Sequence, residues 1–258
     1  MSPLMDVEGF AARLIEARQS GERIATLAQD EAPANATQAY AVQEAILRRL
    51  RLGIAAWKAG AANPAAEPQG APILADRCQP SPARFALLPN ALRTVEAELA
   101  FRFARDLPAR AEAYTDAEVW EAIASLHVAI EVLESSFVDR RFMPEFAPLA
   151  DLQNNGAFCY GAPIADWRNL DVQTPQAALL INGKEVRRTS AGTPGGHPRR
   201  LLTWLANHAA SRGHPIKAGD IVTTGSHTGL YDAPLGAEVT ARFEGVGEAR
   251  LVFQLDEA

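Results

Sequence analysis

The chain has 258 residues, enough for one large domain or a core with a smaller appendage. Its 25 Lys and Arg stand against 31 Asp and Glu, a net charge of -6, and no basic block offsets it. That excludes a general nucleic-acid binder, since neutralising phosphates requires a basic surplus. The two cysteines, Cys78 and Cys159, lie far apart without metal-ligand spacing, which fits a reduced compartment better than a disulfide scaffold. No stretch approaches the ~18 apolar residues of a membrane span, and residues 1–14 lack the basic start and apolar centre of a signal peptide. The expectation is a cytoplasmic protein with neither membrane nor nucleic-acid partners.

Two helices open the chain. Residues 7–19 carry Phe10, Leu14 and Ile15 at helical spacing with Gly21 as a stop, and Asn35 caps a second run whose face is Val42, Ile46, Leu47 and Leu50, ending at Gly53. Residues 54–60 read as a short strand. Residues 61–89, rich in Ala, Pro and Gly, read as a long irregular connection. Residues 95–103 alternate, with Val95, Ala97, Leu99, Phe101 and Phe103 on one side and Glu96, Glu98, Ala100 and Arg102 on the other, the pattern of a strand. Thr115 and Glu118 have capping-box spacing ahead of Val119, Ile123 and Leu126, predicting a helix over 116–126, and the β-branched run 127–133 predicts another strand. A helix over 198–212, with Pro198 in its first turn, and short strands from Lys217 onward complete the chain. Helices first and a β-rich body after them make the fold class α+β. The expected division is an N-terminal helical and irregular part, 1–90, and a β-rich catalytic domain, 91–258.

Glu96 and Glu98 are the sharpest chemical feature. Spaced i, i+2 they stand on one face of a strand, close enough to share a hard cation; a solvated strand face is the alternative. Glu131 lies in the apolar run Ala129-Ile130-Glu131-Val132-Leu133, where a charge is buried only when paired or bound to metal. Three carboxylates meeting without a cation would repel until one took up a proton, and oxygen-only ligation favours Mg2+ or Mn2+ over Zn2+. An arginine partner or an exposed edge would equally explain Glu131. Lys58, in Ile54-Ala55-Ala56-Trp57-Lys58-Ala59-Gly60, is a proton donor or acceptor if buried and a snorkelling side chain if not. Gly225-Ser226-His227-Thr228-Gly229 follows an apolar strand and offers hydroxyl and N–H donors to a carboxylate, or is a tight turn. The histidines His127, His197, His208, His214 and His227 lack metal spacing and read as structural or exposed. Serine-hydrolase and dinucleotide-binding motifs are absent.

Together these segments resemble the fumarylacetoacetate hydrolase superfamily, in its branch of 2-keto-4-pentenoate (2-hydroxypentadienoate) hydratases and 4-oxalocrotonate decarboxylases. The resemblance rests on Trp57-Lys58-Ala59-Gly60, Glu96-Ala97-Glu98-Leu99-Ala100-Phe101, Ala129-Ile130-Glu131-Val132, Ala150-Asp151, Gly196-His197-Pro198, Trp204-Leu205-Ala206-Asn207 and the segment from Ala218 to Thr228. It implies a rolled, mixed β-sheet with outer helices and a smaller helical N-terminal part. It implies Mg2+ or Mn2+ on Glu96, Glu98 and Glu131, catalysis by Lys58, and substrate binding by Ser226, Thr228 and Asp151. The expected reaction is hydration of a 2-hydroxy-2,4-dienoate, the enzyme being a lyase acting on a small-molecule 2-oxo acid. Decarboxylation of a 2-oxo-3-enedioate, C–C hydrolysis of an acylpyruvate, and a non-catalytic accessory protein keeping the fold are the alternatives. The hydrolase chemistry commonly uses a His/Glu pair from the N-terminal half, and this chain has no histidine before His127. The resemblance also favours a homo-oligomer and an association with a related hydratase or decarboxylase. The chain departs from the branch where Glu134-Ser135-Ser136 replaces Asp-Ser-Arg, where Leu152 follows Ala150-Asp151 in place of Asn, and in an Asp absent or displaced near Gly70. The metal core is kept while groups around the substrate differ.

Overall fold

The computed structural model describes residues 5–88 and 90–255. Helix α1 (Val7–Ser20) begins where the Asp6 carboxylate accepts the Gly9 N–H and ends at left-handed Gly21, φ 75°. Helix α2 (Ala36–Leu50) is capped by the Asn35 side chain and closes on Arg51 in the left-handed region, two residues before Gly53. Strands β1 (Ile54–Gly60), β2 (Gln69–Leu74), β3 (Cys78–Pro80), β4 (Ala83–Leu87) and β5 (Thr94–Phe103) follow. Then come α3 (Asp116–Glu121), β6 (Ile123–Leu133), α4 (Ala147–Ala150), β7 (Asn155–Tyr160), β8 (Ala177–Ile181) and β9 (Lys184–Thr189). Helix α5 (Pro198–Ser211), β10 (Ile221–Ser226), β11 (Tyr231–Asp232), β12 (Glu238–Phe243) and β13 (Gly247–Leu255) end the chain.

Two elements differ from their sequence pattern. Residues 61–89, expected to be irregular, contain β2, β3 and β4. Their prolines are tolerated because β2 and β3 are the outer edges of a sheet, where a missing N–H breaks no ladder. The helix expected over 116–126 stops at Glu121. The Thr115–Glu118 capping box forms as expected. Beyond it the chain pairs with β5, Ile123 opposite Phe103 and Leu126 opposite Phe101, so ladder hydrogen bonds outweigh the helical periodicity.

The larger sheet runs β2-β1-β10-β5-β6-β7-β3 with β11 added beside β5, and the smaller runs β4-β13-β12-β8-β9. Parallel pairs, β1 with β10, β3 with β7 and β4 with β13, are mixed with antiparallel ones, giving the expected α+β architecture. The sheets pack face to face through the odd-numbered side chains of β5 (Leu99, Phe101, Phe103) and through Ile130, Val239, Phe243, Leu251 and Phe253, all buried. Burying each of these large side chains contributes roughly 2–3 kcal/mol before conformational entropy is counted. The even-numbered face of β5 is turned to the other side. Strand pairing also crosses the boundary expected near residue 90, because β1 and β2 belong to the larger sheet and β4 to the smaller. A separate apolar cluster joins α1 and α2 to Ala71, Leu74, Phe137 and α4. No helix among the described residues is long and apolar enough to cross a membrane.

The helical layer is tied to the body by buried polar groups. Arg18 Nε donates to Asp151 Oδ1 (2.8 Å), while its terminal nitrogens donate to the carbonyls of Asn155 (2.6 Å) and Asp151 (2.9 Å). The fully buried Asp151 also accepts from the Ser136 N–H and hydroxyl (2.8 and 2.7 Å). Asp151→Ala would leave Arg18 Nε and the Ser136 N–H without an acceptor and remove the carboxylate facing the guanidinium, while the backbone carbonyls still hold the other Arg18 nitrogens and Leu14 the Ser136 hydroxyl. It should lower unfolding free energy by about 3 kcal/mol, read by urea denaturation; a change within error would show that the tie is dispensable.

Candidate active site

Strand register alone assembles the acidic face. Glu96 on β5 pairs directly with Glu131 on β6, and Glu98 pairs with Ser226 on β10. Two residues further along β5, Ala100 pairs with Thr223, which in turn pairs with Lys58 on β1. These positions share one face of the larger sheet, opposite the apolar core. The register shift between Thr223 and Ser226 is made by Gly225, whose φ of 96° is open to glycine at no cost. The solvated-face alternative fails, because Glu98 and Glu131 are each 1% exposed. Glu96 is partly exposed toward a cavity of about 930 Å³ that also reaches Lys58, Glu98, Glu131 and Ser226.

One carboxylate oxygen from each of Glu96, Glu98 and Glu131 lies within 4.8 Å of the others. The Lys58 ammonium donates to Glu131 Oε1 at 2.5 Å and to the Gln153 carbonyl at 3.1 Å. Asn155 Nδ2 also donates to Glu131 Oε1, at 2.9 Å, and the Thr223 hydroxyl donates to Glu98 Oε2. Glu131 and Glu98 therefore each engage one oxygen with protein donors. Burial, then the Glu131 charge, pushes the Glu96 carboxyl up to about 7. Burial followed by the charges of Glu131 and Glu96 pushes Glu98 well above the usual carboxylate range. Once all three are ionised, three carboxylates against one ammonium leave two negative charges, the charge that one divalent cation cancels. The donors are hard oxygens, so the set suits Mg2+, Mn2+ or Ca2+ better than a soft metal.

A strained turn supplies part of this site. Leu152, Gln153 and Asn154 are three consecutive non-glycine residues in the left-handed region, with φ of 49°, 53° and 57°. Such a residue costs on the order of 1 kcal/mol. The turn persists because its groups are held: Asn154 N–H by the Asp151 carbonyl, Asn154 carbonyl by the Glu134 N–H, and Leu152 by burial. It aims the Gln153 carbonyl at Lys58 and leaves buried Gln153 Oε1 without a protein partner on the cavity wall. The Ser226 hydroxyl favours the charged form of Glu96 but forms no well-aligned hydrogen bond.

Lys58, Glu96, Glu98, Glu131 and Ser226 are thus brought together, while two expected substrate ligands are not. Asp151 is engaged by Arg18 and Ser136 and lies off this cavity, its buried carboxylate turned to the half-buried guanidinium. Thr228 Oγ1 accepts the Ala97 N–H at 3.0 Å and is not on the cavity wall either. Thr223, Gln153 and Asn155 were not singled out in the sequence. A threonine in a strand and an amide in a turn carry no signal until the pairing register is known. Among the histidines, His127 is held by the Gly161 carbonyl and Ser125, whereas His208 lines the cavity.

Because Glu96 and Glu98 bind protons more tightly folded than unfolded, metal-free protein takes up protons on folding between about pH 4.5 and 7. Its stability should therefore fall as pH rises through that window. Thermal unfolding in a chelator should show this fall, and Mn2+ at pH 7.5 should reverse it; a flat profile in both conditions would contradict the repulsion.

The Fumarylacetoacetate (FAA) hydrolase C-terminal family model matches residues 67–254. The 2-keto-4-pentenoate hydratase of Paraburkholderia phymatum is 32% identical, the match covering 96% of this chain and 97% of that protein. The enzyme of the same name from Burkholderia vietnamiensis is 30% identical, covering 98% and 99%. In structure, 4-oxalocrotonate decarboxylase from Pseudomonas putida G7, complexed with magnesium and adipate, superimposes with a TM-score of 0.82 at 22% identity, covering 98% of this chain and 100% of that one. The chain belongs to the fumarylacetoacetate hydrolase family, in its hydratase and decarboxylase branch.

Proposed function

We propose that the protein is a divalent-metal-dependent hydro-lyase that adds water to a 2-hydroxy-2,4-dienoate of the 2-keto-4-pentenoate type. The observation that carries this reading is the convergence of three carboxylates, two of them buried and one facing the cavity, beside a single lysine. The full-length similarity to hydratases supports the reaction type. Glu96, Glu98 and Glu131 hold Mg2+ or Mn2+; the decarboxylase of similar fold was solved with magnesium. Bound there, the ion supplies Lewis acidity and an anchor for the 2-oxo acid.

The side chains do the rest. Lys58 Nζ has three N–H groups, and Glu131 and Gln153 take two, leaving one for the substrate. Lys58 delivers a proton to carbon as the dienol becomes a 2-oxo enoate, and the enol O–H proton returns to Nζ. Water then adds its hydroxyl to one end of the remaining double bond and its proton to the other. Asn155 and Thr223 fix the carboxylates of Glu131 and Glu98, while Ser226 offers its hydroxyl to the substrate carboxylate. Gln153 Oε1 is an acceptor for the attacking water.

Decarboxylation of a 2-oxo-3-enedioate is the second reading, favoured by the resemblance in fold to the decarboxylase. An assay with Mg2+ or Mn2+ on 2-hydroxypenta-2,4-dienoate and, in parallel, on a 2-oxo-3-enedioate tests both. Loss of dienoate absorbance without CO2 release is expected. Lys58→Met should lower kcat by roughly 100-fold or more, and Glu98→Gln should abolish metal-dependent turnover while circular dichroism is unchanged. Unaltered turnover in Lys58→Met would remove the lysine from proton transfer. CO2 release from an enedioate with no hydration would select the decarboxylase, and metal binding with no turnover of either acid would select an accessory role.

A further inference from the structure

The cavity has a second wall, built by Tyr40 of α2 and by Trp204 and His208 of α5. His208 stacks on Trp204 with ring centroids 4.4 Å apart and 14° between planes, and Tyr40 packs against His208 at 4.4 Å. The indole N–H of Trp204 donates to Glu67 Oε1 at 2.7 Å, which brings the Glu67 carboxylate to the same wall. Charges acting on Tyr40 and His208 are those of Glu67 and Arg212, whereas Glu96 and Glu98 feel Glu131 and Lys58. The cavity therefore has two ends, a carboxylate end and an aromatic end.

Charge is distributed unevenly between them. Among the described residues, Lys58 is the one cation on the lining, and it belongs to the carboxylate end. Outside the trio, the lining acids are Glu67 and Glu145. Arg212 stands behind the Tyr40 ring, 4.5 Å from its centroid, and is bound to Glu44 and Gln43. Arg140 acts at the other end, on Glu96. Burial, with Arg212 adding to it, lowers His208 to about 4, so the imidazole is neutral at pH 7. Its Nε2 has no protein partner and offers one uncharged hydrogen bond, as acceptor or as N–H donor according to the tautomer. Aromatic faces carry negative potential and favour apolar or conjugated groups. A carboxylate seated against these rings would lose water, meet no cation on the lining at this end and stand close to the Glu67 charge.

From this arrangement we infer that Tyr40, Trp204, His208 and Glu67 determine tail specificity: the site takes 2-oxo and 2-hydroxydienoic monoacids with an uncharged tail and rejects those ending in a second carboxylate. The inference rests on the 2-oxo acid reading above and sharpens it, because the decarboxylase substrate must present a second carboxylate at its far end.

Calorimetric titration of the Mn2+-loaded protein at pH 7.5 tests it with three probes. These are 2-oxohexanoate, 2-oxoadipate, which has the same length with a terminal carboxylate, and pyruvate, which has no tail. We expect 2-oxohexanoate to bind about tenfold or more tightly than 2-oxoadipate. Glu67→Arg, a change at an exposed position, should bring 2-oxoadipate to parity or better. Trp204→Ala should weaken 2-oxohexanoate more than pyruvate. Equal or tighter binding of 2-oxoadipate by the unaltered protein overturns the inference while leaving the 2-oxo acid reading intact. So does an unchanged preference in Glu67→Arg. Failure of all three acids to bind overturns that reading and the inference with it.

Discussion

Mutual repulsion among three carboxylates, imposed by a strand register, is the constraint around which the rest of the site is organised. Glu96 and Glu131 face each other across paired strands and Glu98 follows two residues on, so the sheet leaves them no route apart. In water such proximity would cost little; here desolvation first and the neighbouring charges second raise Glu96 to about 7 and Glu98 well above the usual carboxylate range. Lys58, Asn155 and Thr223 each engage one oxygen and partly offset the repulsion. The residual charge equals that of one divalent ion, and the same geometry that sets the carboxylates against one another groups hard oxygens suited to such an ion.

The fold supplies the rigidity that this arrangement needs. On the reverse of β5, Leu99, Phe101 and Phe103 are locked between two sheets, so the acidic face cannot twist away without opening the core. The left-handed turn at Leu152–Asn154 is held in place from several sides, including the Arg18–Asp151 tie at its base. Its strain puts a backbone carbonyl on Lys58, a placement that an ordinary turn would not give. The N-terminal helices therefore act on the site indirectly, by clamping the turn that orients the lysine, and directly, through Tyr40 on the cavity wall.

The parts legible in the sequence are those that depend on local pattern. Alternation along β5 placed Glu96 and Glu98 on one face, and a charge inside an apolar run marked Glu131. The caps expected at Asn35 and Thr115 both form, and Asp6 caps α1 as well. What escaped notice depends on partners distant in the chain. The strands within 61–89 are sheet edges that look like loop because edge strands accept proline. The 116–126 segment has helical spacing, and only its pairing with β5 makes most of its second half a strand. Asp151 carried a motif that suggested a ligand, yet the half-buried Arg18 of α1 claims it. Thr223, Gln153, Asn155 and the aromatic wall are visible only in three dimensions.

The functional account is thus layered: register creates the acidic face, burial makes it demand a cation, and the cavity beyond it shapes which acid is accepted. The most direct test is crystallographic, using anomalous scattering from crystals grown with Mn2+. The account predicts one strong peak per chain, within roughly 2.0–2.6 Å of an oxygen from each of Glu96, Glu98 and Glu131. A peak elsewhere, or none between these three side chains at neutral pH, would contradict it.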